Sequence, residues 1–337
     1  MIELRNLESL GEQEVIHLLQ SYIDPSDLLG TNEDAYIFNN SHPFVLINVD
    51  TMSRNSDFLP GQNWAQIGTK LVNITFSDLA AKGAVPSLFL SSMVLEKSTS
   101  ENELRELTES FQKTSHKHGA KYLGGDLGSA VETVLTGVGL GSIIKGDVLA
   151  RHRAQPNDLV CVTGYFGLTT IGLDHLLNPS SNKFTAVSDS LINQALNLLY
   201  SPTPRILEGT LLCNNKLANA SIDSSDGLAI SLHWLSQASN VGILIDSLPI
   251  HPELDSYLDS PQSLLDVTMF GGEEYELVFT VPPNKIKKLE TIFEKNNCKF
   301  IVIGKCSSKK EGVFVSQNGN KNPLPMKGWD SFRNKIY

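Results

Sequence analysis

The feature that most constrains the fold is the regular alternation of two hydrophobic periods along the chain. Stretches with apolar residues at helical spacing, such as LESLGEQEVIHLLQSY (7–22), NWAQIGTKLVNITFSDLAAKGA (63–84) and SENELRELTESFQKTSHKHG (100–119), are separated by short apolar runs. FVLINVD (44–50), AVPSLFLSSMVL (84–95), ETVLTGVGLGSII (132–144) and DLVCVTG (158–164) are runs of that kind. A 3.6-residue period buries one face of a helix, whereas a short apolar run suits a strand covered on both faces. The same style continues in the second half, where ANASID, VGILIDSL and YELVFTVP alternate with GLAISLHWLSQAS and NKIKKLETIFEKN. Such alternation predicts α/β architecture, and 337 residues exceed one usual hydrophobic core. The PND turn places the seam near Arg151 to Asp158, dividing the chain into an N-terminal domain, 1–150, and a C-terminal α/β domain, 151–337.

Composition excludes several classes of function. A formal net charge of -10 with no extended Lys/Arg-rich stretch argues against nucleic acid, whose binding requires a basic patch that displaces counterions. No apolar run approaches the roughly 20 residues of a membrane span. The charged N-terminus MIELRNLESLGEQEV does not resemble a signal peptide, so a cytoplasmic protein with no membrane partner is expected. Cys161, Cys213, Cys298 and Cys306 form no CxxC pair, which predicts packed, reduced thiols rather than a zinc site. His116 and His118 are expected at the end of an exposed helix, and His175 and His233 within helical apolar patterns, with no ligand role.

Acidic residues stand where apolar runs end. Asp50 follows FVLINV, Asp126 follows KYLGG, and Asp223 and Asp226 lie three residues apart in SIDSSDGL, where a strand hands over to a helix. Asp78 interrupts a helix otherwise built of small and apolar residues, an expensive place for a charge without a partner. Strand ends line the ligand crevice of α/β domains, and hard oxygen donors gathered there suit Mg²⁺ and, through it, nucleotide phosphate. Taken singly, each aspartate is as readily a cap or turn residue. No Walker loop, protein-kinase signature or GxSxG elbow is present, and GVGLGS (137–142) reads as a packed glycine-rich strand rather than a phosphate loop.

The ordered set VDTMSRNSDF, QIGTKLVNITFSDLAAKGAVP, YLGGD, RHRAQPNDLVCVTG, SIDSSDGLAISL, FGGEEYELVF and KGWDSF resembles the thiamine-monophosphate kinase family over nearly the whole chain. That family belongs to a superfamily with aminoimidazole ribonucleotide synthetase, selenophosphate synthetase and a hydrogenase maturation protein. The resemblance implies a two-domain aminoimidazole ribonucleotide synthetase-like fold, with the N-terminal ATP- and metal-binding domains of two subunits paired in a homodimer. It implies Mg²⁺ at Asp34, Asn48, Val49, Asp50, Asp78, Asp126, Asp223 and Asp226. ATP, the co-substrate, is expected against Gly125, Asp126, Arg151 and Ser225, and thiamine monophosphate against Asp57, Glu273 and Trp329. Asp126 and Asp226 are the implied catalytic pair. Departures fall at Asn48 and Val49, where the family has Ser-Thr, at Leu127 and Gly128, where it has Thr-Thr, and at Asp57, where it has histidine.

The chemistry agrees with that residue pattern. A phosphate monoester with a second pKa near 6 is already mostly dianionic at neutral pH, so phosphorylating it requires charge neutralisation and alignment rather than a general base. Two rival readings keep the aspartates: a related superfamily enzyme using ATP on another small acceptor, and a non-catalytic nucleotide-binding dimer.

Overall fold

The computed structural model describes residues 36–38, 45–180, 184, 186–258, 260–308, 311–317, 319–330, 332 and 335–336. The N-terminal part comprises β1 (Tyr36–Phe38), β2 (Val45–Ser53), α1 (Arg54–Asp57), α2 (Trp64–Ala81), β3 (Val85–Glu96), α3 (Glu101–Lys117), β4 (Lys121–Ala130) and β5 (Val134–Ser142). Its sheet runs β1-β2-β5-β3-β4, antiparallel except for the parallel pair β3 and β4. The helix at 7–22 and Asp34 lie outside the described residues.

Helix α2 begins at a capping box, where the Asn63 side chain accepts from the Gln66 amide at 2.8 Å and Gln66 answers to the Asn63 amide. It is buried around most of its circumference, packed on β2 and β5, against α3, and against the second domain. The glycines of GVGLG make that approach possible. A Cβ on Gly137 would lie 2.5 Å from Thr75 Oγ1, and one on Gly139 would lie 2.7 Å from Asn48 Oδ1 and 2.8 Å from Thr75 Cγ2. The motif is therefore the close-packed strand its sequence suggests, not a phosphate loop.

The second part comprises β6 (Leu159–Val162), α4 (Leu168–Leu177), α5 (Asp189–Tyr200), α6 (Ile206–Asn214), β7 (Ala220–Ser224), α7 (Leu228–Ser239), β8 (Gly242–Ile245) and α8 (Pro261–Met269). It continues through β9 (Glu276–Val281), α9 (Ile286–Lys295), β10 (Ile301–Ser307), β11 (Val313–Gln317) and β12 (Asn320–Pro323), and a short ribbon, β13 (Trp329–Asp330) with β14 (Lys335–Ile336), follows. The sheet order is β12-β11-β8-β10-β6-β9-β7, antiparallel except for β8 and β11. Every residue of β9 is buried because the strand separates two cores: Leu277, Phe279 and Val281 join the one shared with α2, α6 and α9, and Val278 joins the one under α7. The first of these cores is continuous across both sheets, so the seam between them is an apolar contact of the kind found inside one domain.

The four cysteines are free, three of them buried. His175 is exposed on α4, because the apolar stripe of that helix turns Leu168 and Ile171 inward instead. His118 also differs from its expected role as an exposed cation. Its Nε2 lies 2.8 Å from Asn73 Oδ1, its ring meets Phe76 edge-on, and burial pushes its pKa down to about 4.

Candidate active site

The buried charge on α2 finds its partner on β2. Asn48, 4% exposed, aims its amide nitrogen at Asp50 Oδ2 (3.0 Å), Asp78 Oδ2 (3.0 Å) and the Thr75 carbonyl (2.8 Å). An NH₂ group has two hydrogens, so three acceptors converge on one weak donor, an oxygen-rich arrangement matched to a cation. The Asn48 Oδ1 atom is buried without a hydrogen-bond partner.

The second half of the site is the turn from β7 into α7. Three backbone amides from elsewhere cover it: Glu273 donates to the Ser225 carbonyl (2.6 Å), Tyr275 to that of Ser224 (2.9 Å) and Trp329 to that of Asp226 (2.9 Å). Gly227 has φ +116°, and a Cβ there would lie 2.1 Å from the Gly271 carbonyl oxygen, so only glycine passes. Glu273 and Tyr275 also carry positive φ, 69° and 54°, an uncommon conformation for side-chain-bearing residues that concentrates at functional sites. The loop FGGEEYEL, the SDGL turn and the KGW segment are thereby laced into one surface.

Side chains of α2 reach across the seam to this surface. Ser77 Oγ donates to Asp223 Oδ2 (2.7 Å), Lys82 Nζ to the Ser221 carbonyl (3.3 Å), and Lys70 Nζ lies 2.6 Å from Glu273 Oε2. Tyr275 sits in the middle. Burial raises its hydroxyl pKa well above the usual value, and the carboxylates of Glu273, Asp50, Asp226 and Asp223 push it further the same way. Asp50 of β2, Asp223 of β7, and Asp226 and Glu273 of the neighbouring loops thus shift this hydroxyl in the same direction.

Other expected residues lie apart from this group. Asp50, Gly137, Ser91 and Gly125 are register partners in one row across β2, β5, β3 and β4. Gly125 therefore lies three strand spacings, roughly 14 Å, from Asp50. Asp126 occupies the next row, with Ser92, Thr136 and Thr51, on the exposed edge strand. Val49, 60% exposed, shares no row with Asp50 and carries no side-chain oxygen. Arg151 is 2% exposed, its guanidinium 4.8 Å from the Trp234 ring centroid. Asp57 accepts the Ser53 amide at 2.7 Å. Burial raises its carboxyl pKa against the lowering effect of that amide and of Lys70.

The carboxylates of Asp50, Asp78, Asp223 and Asp226 form an all-oxygen donor set that fits Mg²⁺, whereas Asn48 presents its amide nitrogen to the first two and orients them. Among the described residues no three acidic, His or Cys side chains enclose one point by themselves. Mg²⁺ usually takes one or two carboxylates and completes its shell with water and substrate phosphate, so open carboxylates suit it better than a closed cage. Sequence patterns did not single out Ser77, Lys70 or Tyr275. The available signal was a lysine at the centre of an otherwise small and apolar helix.

Residues 32–143 match the N-terminal domain, and residues 155–316 the C-terminal domain, of AIR synthase related protein. Fold and site thus define a two-domain α/β protein of the AIR synthase related class. Thiamine-monophosphate kinase of Escherichia coli K12 is 32% identical over 307 residues, covering 90% of this chain and 92% of the relative. That of Pyrococcus horikoshii is 29% identical over 334 residues, covering 98% and 99%. Among solved structures, AaThiL complexed with AMPPCP and TMP has a TM-score of 0.81 at 25% identity, covering 98% of this chain and 99% of that one. The chain belongs to the thiamine-monophosphate kinase family, and it is an enzyme of the kinase class.

Proposed function

We propose that this protein transfers the γ-phosphoryl group of ATP to the phosphate of thiamine monophosphate, giving thiamine diphosphate and ADP. The observation that carries this reading is the meeting of the two acidic groups across the seam, where Ser77, beside Asp78 on α2, donates to Asp223 of β7 and Lys70 of the same helix pairs with Glu273. The relatives' shared name and the AMPPCP and TMP bound in AaThiL support it.

A phosphate oxygen of the acceptor attacks the γ-phosphorus while the bond to the β–γ bridging oxygen breaks, and the leaving group departs as ADP. The acceptor arrives deprotonated, so no residue need take a proton. Mg²⁺, held by Asp50, Asp78, Asp223 and Asp226 with Asn48 orienting the first two, would neutralise phosphate charge that this acidic chain otherwise repels. Gly125 and Asp126 are three strand spacings from Asp50, with the Asp126 side chain on the other face of the sheet, so in this reading they meet the nucleotide away from the Asp50 and Asp78 carboxylates. In this reading Ser225 and Arg151 hold the nucleotide, Asp226 and Asp126 serve the transfer, and Asp57, Glu273 and Trp329 hold the acceptor. The Ser225 and Asp226 carbonyls are tied to the Glu273 and Trp329 amides, so nucleotide side and acceptor side are fixed to each other by backbone hydrogen bonds.

Two copies are proposed to pair through their N-terminal sheets. Val49 on β2 and Leu123 on edge strand β4 are 60% and 53% exposed, apolar side chains that a second copy would cover.

The test is incubation with ATP, Mg²⁺ and thiamine monophosphate, with thiamine diphosphate followed by chromatography and Asp226→Asn run in parallel. Product that disappears in the variant supports the reading. Magnesium-dependent ATP binding without product transfers it to another acceptor, and neither binding nor product leaves a nucleotide-independent scaffold.

A further inference from the structure

Helix α4 starts without a cap of its own, because its N-cap position is Gly167, at φ +101°, which has no side chain to offer the first turn. The missing acceptor comes from 107 residues further along the chain: Glu274 Oε1 accepts the Gly167 amide at 3.4 Å and the Thr169 hydroxyl at 2.7 Å. The loop that carries Glu274 is pressed onto the same turn. A Cβ on Gly271 would lie 1.8 Å from Thr170 Oγ1, which donates to the Val267 carbonyl of α8 at 2.9 Å. Glu274 also stands between the two positive-φ residues Glu273 and Tyr275, whose amides hold the Ser225 and Ser224 carbonyls. One side chain thus joins the start of α4 to the loop, and the loop is joined to the acidic turn.

We propose that Glu274 is a positioning residue of the candidate active site, a helix cap supplied from a distance that clamps the FGGEEYEL loop and, through two backbone amides, the Ser224–Ser225 turn. Its part in catalysis rests on the function proposed above, whereas the clamp itself does not. Side-chain-bearing residues at positive φ persist only where the surroundings hold them, and two of them flank Glu274. The carboxyl supplies that hold from outside the loop's own backbone, facing the positive end of a helix.

The second carboxyl oxygen makes the clamp sensitive to pH. Oε2 is buried without a hydrogen-bond partner among the described residues, and burial raises the carboxyl pKa to about 8 against the lowering effect of Thr169 and Gly167. Glu276 of β9 raises it as well and is itself engaged by Arg205. Of the other charged groups on the surrounding elements, Glu273 is paired with Lys70, and Asp266 of α8 accepts from Gln262. Burial lowers the pKa of His251, whose amide donates to the Phe166 carbonyl, and residues 168–170 at the start of α4 are uncharged. Opening the loop returns the carboxyl to water, where its pKa is 4.5, so opening releases a proton between 4.5 and about 8. The clamp is therefore tightest in acid, loosens as pH rises through that window, and changes no further above it.

Amide hydrogen exchange, read by mass spectrometry on peptides covering residues 166–172 and 271–278, tests the clamp without substrate. Dividing the exchange of a variant by that of wild type at each pH cancels the base catalysis common to both. Glu274→Gln keeps an acceptor oxygen and cannot ionise, so both peptides match wild type near the acid end of the window and are protected at least about tenfold better than wild type at its alkaline end. Glu274→Ala opens both peptides together at every pH while protection elsewhere is kept. In turnover, Glu274→Ala lowers kcat and Glu274→Gln restores it. Equal exchange of Glu274→Gln and wild type across the window, or wild-type protection in Glu274→Ala, would overturn the clamp, and an unchanged kcat in an opened Glu274→Ala would overturn its positioning role. A wild-type enzyme inactive on thiamine monophosphate would overturn the proposed function alone, since the exchange result does not depend on it. Should Glu274→Ala fail to fold, the comparison of Glu274→Gln with wild type across the window decides the matter.

Discussion

Ser77 Oγ on α2 donates a 2.7 Å hydrogen bond to Asp223 Oδ2 on β7, 146 residues further along the chain. Both residues are buried, and the bond fastens the helix carrying Asp78 to the strand that delivers Asp223 and Asp226. Ser77→Ala is expected to lower stability by about 1–3 kcal/mol, because a buried carboxylate loses a donor. Urea denaturation measures this, and a reduced kcat accompanies it because the two halves of the site lose their alignment.

Asn48 holds Asp50 and Asp78 at 3.0 Å each. Groups that orient metal ligands contribute about 10–100-fold to metal affinity. Asn48→Ala is therefore expected to raise the Mg²⁺ concentration for half-maximal activity by roughly that factor, with recovery at high Mg²⁺. An unaltered Mg²⁺ dependence would separate Asn48 from the metal.

Trp329 is tied by its amide to the Asp226 carbonyl, and in the proposed function its ring meets the thiazolium of the acceptor. A cation over an aromatic face is worth about 0.5–2 kcal/mol, so Trp329→Ala raises KM for thiamine monophosphate by about 2- to 30-fold and leaves KM for ATP unchanged. Steady-state kinetics with each substrate varied in turn checks it.

The folded chain keeps His118 neutral down to about pH 4, whereas the unfolded chain protonates it near 6.5. Between these values the unfolded state binds more protons, so stability falls as pH drops through that window and is unaffected above it. His118→Gln flattens this fall, as read from denaturation midpoints across the acid range.

Glu276, 7% exposed at its side chain, is gripped by the Arg205 guanidinium, with Nε at 2.7 Å, and by Thr163 Oγ1 at 2.6 Å. Glu276→Gln removes the nearer counter-charge of Arg205, leaving Glu208 at 4.0 Å, and is expected to cost about 1–3 kcal/mol. Replacing both by Arg205→Met and Glu276→Leu costs much less, since desolvation is removed with attraction. Chemical denaturation of both variants distinguishes the cases.

The alternation of helical and strand patterns marked α2, α3, α7 and β9 at nearly their observed positions, because their periodicities answer to burial on one face or two. Asp50, Asp78, Asp223 and Asp226 were legible for the same reason: a carboxylate at the end of an apolar run or inside an apolar helix is costly and needs a partner. Lys70 was not, because a lysine in a helical pattern reads as a solvated face until the opposite domain is seen to cover it. His118 and His175 exchanged their expected environments, since burial there is decided by which neighbour packs on the helix end.

The sequence by itself determined the α/β class, the acidic chemistry and the turn geometry at Gly227, all of which follow from residue type and local spacing. Tertiary structure decided which carboxylates meet. It set Asp50 beside Asp78 through Asn48, drew Asp223 to Ser77, joined Lys70 to Glu273, and placed Asp126 three strands from Asp50. The physical reason is that local sequence sets the conformation of each segment. The distance between charges on different segments depends instead on strand register and on the apolar core that presses the two sheets together.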